Sequence, residues 1–175
     1  DVDHSKILLN AALETGLPVW VGLSCCDSKF DNSVIGRNFR AEKEKSLIYD
    51  ENKYKDQPKY LPEDKIILLE DIIKSLTSLG GDVYGIMHTW FQDSIGGLKI
   101  LKNNWKGPIM FYPEIHKFDT NTHKAIITMT EEEFSNSILE LIDDQIQIVG
   151  GCCGVNDKHL KKLIKSISCL LYTSP

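Results

Sequence analysis

The sequence predicts an α/β domain in which four parallel strands are each followed by a covering helix. Three observations predict it. Short stretches that are apolar throughout recur along the chain, which is the pattern of strands buried on both faces. Amphipathic stretches at helical spacing separate them, and strands alternating with helices form a parallel sheet. The ends of the strands carry Cys25-Cys26, His88, Pro113-Glu114 and Cys152-Cys153, and parallel sheets place their chemistry at strand C-termini. Two architectures satisfy this order: an open doubly wound sheet, and one half of an eight-stranded β/α barrel, which takes about 250 residues when complete.

In chain order, residues 4–15, HSKILLNAALET, carry apolar residues at helical spacing and stop at Gly16, a common helix terminator. LPVWVGLSC, residues 17–25, is short, apolar and rich in Val and Trp, as buried strands are. Residues 27–62 are polar, charged and interrupted by Pro58 and Pro62. Such composition buries little, so they read as a long loop or insertion. EDKIILLEDIIKSLTSL, 63–79, is an amphipathic helix closed by Gly80-Gly81. DVYGIMH, 82–88, is a strand and QDSIGGLKILKNNW, 92–105, a helix. PIMFYP, 108–113, is the third strand, and a second polar stretch follows it. TEEEFSNSILELIDD, 130–144, is a helix with Thr130 and Glu133 spaced as a capping box. IQIVGG, 146–151, is the fourth strand, and NDKHLKKLIKSI, 156–167, a helix with Asn156 as N-cap. The closing CLLYTSP is expected not to continue that helix, so the domain spans 1–167 and residues 168–175 form a tail. The chain begins without Met and is expected to be a piece of a longer protein.

With 42% hydrophobic and 26% charged residues, the 175-residue chain is an ordinary globular sequence. A net charge of -5 and no basic cluster exclude a nucleic-acid surface. No apolar run approaches the roughly 20 residues that span a bilayer, and the N-terminus lacks the basic and apolar segments of a signal peptide. Five cysteines, four of them in vicinal pairs, make a poor disulfide framework and fit a reducing, cytoplasmic setting.

The stretch QIVGGCCGVNDKHLKKL, 147–163, frames two adjacent thiols with glycines. Neighbouring side chains on an extended strand point to opposite faces, so two adjacent sulfurs meet one ion only if the backbone curls. Gly150, Gly151 and Gly154 permit the positive φ angles such a curl needs. The helix from Asn156 sets its positive end beside Cys153, which favours thiolate. Two thiolates and one further ligand make a zinc centre with an open position. Cys25 and Cys26 read as packing residues, and His116, His123 and His159 as solvent-facing. Trp20, Trp90 and Trp105 read as core or pocket wall.

The same stretch resembles the C-terminal signature of the zinc-dependent homocysteine S-methyltransferases, in which GGCCG on the last barrel strand is followed by a helix. TGLPVWVGLS (15–24), VYGIMH (83–88), GPIMFYPEIHKF (107–118) and MTEEEFSNSILELIDDQIQIVGG (129–151) are similar to the family's later strands and penultimate helix. The resemblance runs over about residues 5–167, with 27–62 poorly covered. It implies the C-terminal half of a TIM barrel and a zinc ion (Zn2+) on Cys152, Cys153 and position 88. It also implies methyl transfer from a small-molecule donor to the thiol of homocysteine, giving methionine. The chain departs from the pattern at three places: His88 stands where the family has Cys, Met87 where it has Asn, and Glu114 where it has Asn. An imidazole in place of a thiolate leaves the site one unit less negative. Glu114, after a strand-end proline, is a candidate contact for the substrate amine. The rival reading is a zinc-binding or degenerate TIM-barrel protein without methyltransferase activity.

Overall fold

A helix, α1 (Val2–Leu13), leads into β1 (Trp20–Leu23) through a turn at Gly16, whose φ of 71° ends the helix. The further elements are β2 (Cys25–Asp27), β3 (Val34–Gly36), α2 (Leu69–Thr77), β4 (Val83–Trp90), α3 (Phe91–Asn104), β5 (Ile109–Glu114), β6 (His116–Asp119), β7 (Lys124–Ile127), α4 (Glu131–Leu139), β8 (Ile146–Val149) and α5 (Asp157–Thr173). This computed structural model describes residues 2–27, 33–36, 67–119, 122 and 124–173.

Four parallel strands form the main sheet in the order β1-β4-β5-β8. The order runs one way, without the reversal that gives a doubly wound sheet its crevice. Among the described residues the sheet is not closed, and β1 and β8 are its two edges. The two central strands, β4 and β5, are buried along most of their length, whereas the edge strands β1, expected to be buried, and β8 are half-exposed. Tyr84, Ile86, Ile109, Phe111 and Ile146 meet Leu69, Ile73 and Leu76 of α2, Leu98 and Leu101 of α3, Phe134 and Ile138 of α4 and Leu163 of α5 in one core. Burying each side chain of this size contributes about 1.5–3 kcal/mol.

Local signals explain the covering helices. The Thr130 hydroxyl accepts from the Glu133 N–H at 3.2 Å, and Glu133 Oε2 accepts from the Thr130 N–H at 2.8 Å, the reciprocal capping box. Asn156 Oδ1 accepts the Lys158 N–H at 3.0 Å and caps α5.

Several expectations are corrected. The polar stretch 27–62 includes β3, which pairs antiparallel with β2; residues 28–32 and 37–66 lie outside the described set. The second polar stretch includes another antiparallel pair, β6 with β7. The helix expected over 130–144 ends at Leu139, because the Asp143 carboxylate takes the N–H groups of Gln145 and Ile146, both at 3.0 Å, in a turn. The last helix runs on through Thr173, since no Gly or Pro interrupts it before Pro175. Trp20 is 54% exposed rather than core, because β1 is an edge strand. Trp105 does pack, with its ring 4.8 Å from Tyr84 and its N–H donating to Pro108 O.

Candidate metal centre

Three segments converge at the C-terminal ends of the sheet. At the end of β4 the pairing with β5 shifts between Met87 and Trp90. There His88 takes φ 53°, a left-handed conformation more tolerable for His than for most side chains. A bulge of this kind re-aims a side chain beside a site. Buried Thr89 pins it: its hydroxyl donates to Met87 O and accepts from the Cys25 N–H, both at 3.0 Å.

The cysteine turn follows β8 and stays stitched to β5. Gly150 N–H donates to Phe111 O at 3.2 Å, Cys152 N–H to Pro113 O at 3.0 Å, and Ile115 N–H to Cys153 O at 2.9 Å. Of the three framing glycines, only Gly154 has a positive φ, 89°. A Cβ there would also lie 3.1 Å from the His116 N and the Ile115 carbonyl carbon. Gly150 serves close approach instead, as a Cβ would stand 2.7 Å from the Tyr112 ring.

This brings His88, Cys152 and Cys153 together. His88 Nδ1 lies 3.3 Å from Cys152 Sγ and 3.8 Å from Cys153 Sγ, and the two sulfurs are 3.8 Å apart. A disulfide needs about 2.05 Å, so the thiols are free. Tetrahedral zinc at its usual bond lengths sets sulfurs about 3.8 Å apart and sulfur and nitrogen about 3.6 Å apart. The donor types and their spacing therefore fit zinc with one position open. The Cys153 thiol is pushed above its ordinary range, first by partial burial of the sulfur and then by the neighbouring Cys152 and Glu114. That is the reverse of what the helix end alone favours.

Glu114 is 2% exposed, with Oε2 3.8 Å from His88 Nδ1. Cys25 is buried and its thiol is pushed up to about 12, chiefly by that burial, as suits a packing residue; Cys26 is half-buried one residue along. Two histidines differ from expectation. His159 is 2% exposed, its ring edge-on to Phe134 at 5.7 Å and its Nε2 3.2 Å from Met129 O. His116 is half-buried and joins Glu114 and Cys153 in a second cluster of donor groups. Its place beside the cysteine turn follows from the Ile115–Cys153 backbone bond, a long-range pairing with no local sequence signal. His123 lies outside the described residues.

A family model described as homocysteine S-methyltransferase matches residues 68–167, more than half of the chain. The chain belongs to the homocysteine S-methyltransferase family. The match runs from α2 into α5 and includes every member of the His88–Cys152–Cys153 group. The likeness of residues 15–24 to a strand of these methyltransferases lies outside it. No curated protein matches the chain at a significant level. No described helix is long and apolar enough to cross a membrane.

Proposed function

We propose that the chain is the C-terminal half of a homocysteine S-methyltransferase barrel, that His88, Cys152 and Cys153 hold zinc, and that the reaction methylates the thiol of homocysteine to methionine. The observation that carries this reading is the spacing of the three donors, which suits one tetrahedral ion, within the family match. The one-way order of the open sheet is that of consecutive barrel strands. A free thiol, with an ordinary pKa near 8.5, is mostly protonated at neutral pH; bound zinc would supply the Lewis acidity that keeps it deprotonated.

The chain's own residues then position and orient. The bulge at His88 turns its ring toward the cysteine turn, and the sheet-stitched backbone holds both sulfurs on the same side. Glu114, a buried carboxylate beside His88, would take the substrate amine. The thiolate sulfur attacks the methyl carbon of a small-molecule sulfonium or ammonium donor. The S–CH3 bond forms as the donor's carbon–sulfur or carbon–nitrogen bond breaks, and the donor departs as the neutral thioether or amine. No side chain needs to donate or remove a proton at the methyl group. We place the protein in the cytoplasm, where free thiols persist.

The experiment is zinc content together with homocysteine-dependent methyl transfer, measured on the full-length protein. Zinc with turnover, both lost in Cys152→Ala, is the expected result. The substitutions at 87, 88 and 114 favour a second reading, a zinc-binding barrel without this activity; stoichiometric zinc with no turnover from any donor would establish it.

A further inference from the structure

Next to the His88–Cys152–Cys153 group lies a second set of donors. One ligand atom each from Glu114, His116 and Cys153 all fall within 4.8 Å of one another. Two ligands on one zinc ion are separated by about 3.3–3.8 Å, so a single ion reaches all three after small side-chain movements. The backbone fixes this juxtaposition. Glu114 ends β5, His116 begins β6, and the intervening Ile115 N–H is bonded to Cys153 O at 2.9 Å. A Cβ on Gly154 would stand 3.1 Å from the His116 backbone N, so the absence of a side chain there allows the cysteine turn to pack against it.

Two further observations point to a cation there. His116 Nδ1 is buried and has no hydrogen-bond partner among the described residues, and such nitrogens are rare unless something satisfies them. The Glu114 carboxylate is 2% exposed, and burying a carboxylate is stabilised by positive charge beside it. Carboxylate, imidazole and thiolate together suit zinc, whereas magnesium and calcium take oxygen ligands.

We propose that Glu114, His116 and Cys153 form a second, weaker zinc site that shares the Cys153 sulfur with the first, so that the chain takes up two ions. A thiolate has lone pairs enough to bridge, and its charge serves both ions. The inference goes beyond the methyl-transfer reading and shares with it Cys153 and Glu114. Since Glu114 is also the proposed amine contact, a second ion and the substrate amine compete for one carboxylate.

The test is metal stoichiometry. The full-length protein is dialysed to equilibrium against rising free Zn2+ held by a zinc buffer, and bound zinc is counted by atomic emission. The parent should pass from one ion per chain to two. His116→Ala and, separately, Glu114→Gln should stop at one, in samples whose melting matches the parent's. Saturation of the parent at one ion overturns the proposal, as does a second ion that survives both substitutions. Failure of the first site would look different: His88→Ala, which removes a donor of the first set alone, would then keep its full complement of zinc.

Discussion

His88→Ala separates a ligand from a structural histidine. The substitution removes a nitrogen placed 3.3 Å and 3.8 Å from the two sulfurs, near the roughly 3.6 Å that a shared zinc ion sets. Loss of an outer-shell partner already weakens metal binding by about 10–100-fold. Loss of a direct donor should therefore reach about 100-fold or more, which is about 2.7 kcal/mol at 1.36 kcal/mol per decade. Fold stability should hardly move. The left-handed φ of 53° costs an L-residue about 1–2 kcal/mol; histidine already carries most of that strain, being only somewhat more tolerant of it than alanine. His88→Gly relieves it but loses about 0.5–1 kcal/mol to unfolded-state freedom, so it too should melt near the parent while losing zinc. His88→Cys keeps a donor and should keep the metal. The assay is zinc retained by the full-length protein after dialysis against a mild chelator, read beside the melting temperature of the metal-free form. If His88→Ala holds zinc as tightly as the parent while Cys152→Ala does not, the reasoning is refuted and the third donor is another group.

Gly154→Ala meets both a φ of 89° and the His116 backbone at 3.1 Å; a destabilisation of about 1–3 kcal/mol should appear in the melt together with easier loss of zinc, and an unchanged melt would contradict the strain argument. His159→Leu leaves Met129 O without the imidazole at 3.2 Å, so a loss of about 1–3 kcal/mol is expected in denaturant unfolding, whereas a surface histidine would give a change near zero. Cys25 supplies a pH prediction. Its thiol stays protonated to about 12 in the fold against 9.0 in the reference state, so stability is full below about pH 9 and falls above it by up to about 1.4 kcal/mol per pH unit; Cys25→Ala should flatten that slope, and an unchanged slope would assign it to other groups. Maleimide should label Cys152 and Cys153 slowly in the zinc-loaded protein and fast after chelation, and equal rates would mean the pair holds no metal.

The main elements were legible because each rests on a local signal. Largely apolar runs mark β4, β5 and β8, the Thr130–Glu133 pair starts α4, and Asn156 starts α5. The placing of His88, Cys152 and Cys153 at strand ends was also legible, since strand ends follow from where the apolar runs stop; the order of the strands in the sheet was not, because a doubly wound sheet and a half barrel share the same succession of elements. The two antiparallel pairs were not, because β3 and β7 are short and lie within polar stretches. The burial of His159 depends on Phe134 and Met129, and the place of His116 on Cys153; both are set by packing between segments far apart in sequence. The bulge that turns His88 appears only as a shift in register against β5.

The backbone bonds that tie the cysteine turn to β5 and to Ile115 bear on how folding and metal uptake are linked. In a zinc finger the ion organises its own ligands, and its binding energy is folding energy. Here Cys152 N–H and Cys153 O are engaged by Pro113 O and Ile115 N–H, backbone bonds whose formation does not depend on a metal, so the sheet itself positions the ligands. Little ordering entropy remains to be lost on uptake, and the apo protein should be folded rather than molten. Zinc should then raise the melting temperature only by simple mass action, RT ln(1 + [Zn]/Kd), with no gain in far-ultraviolet circular dichroism.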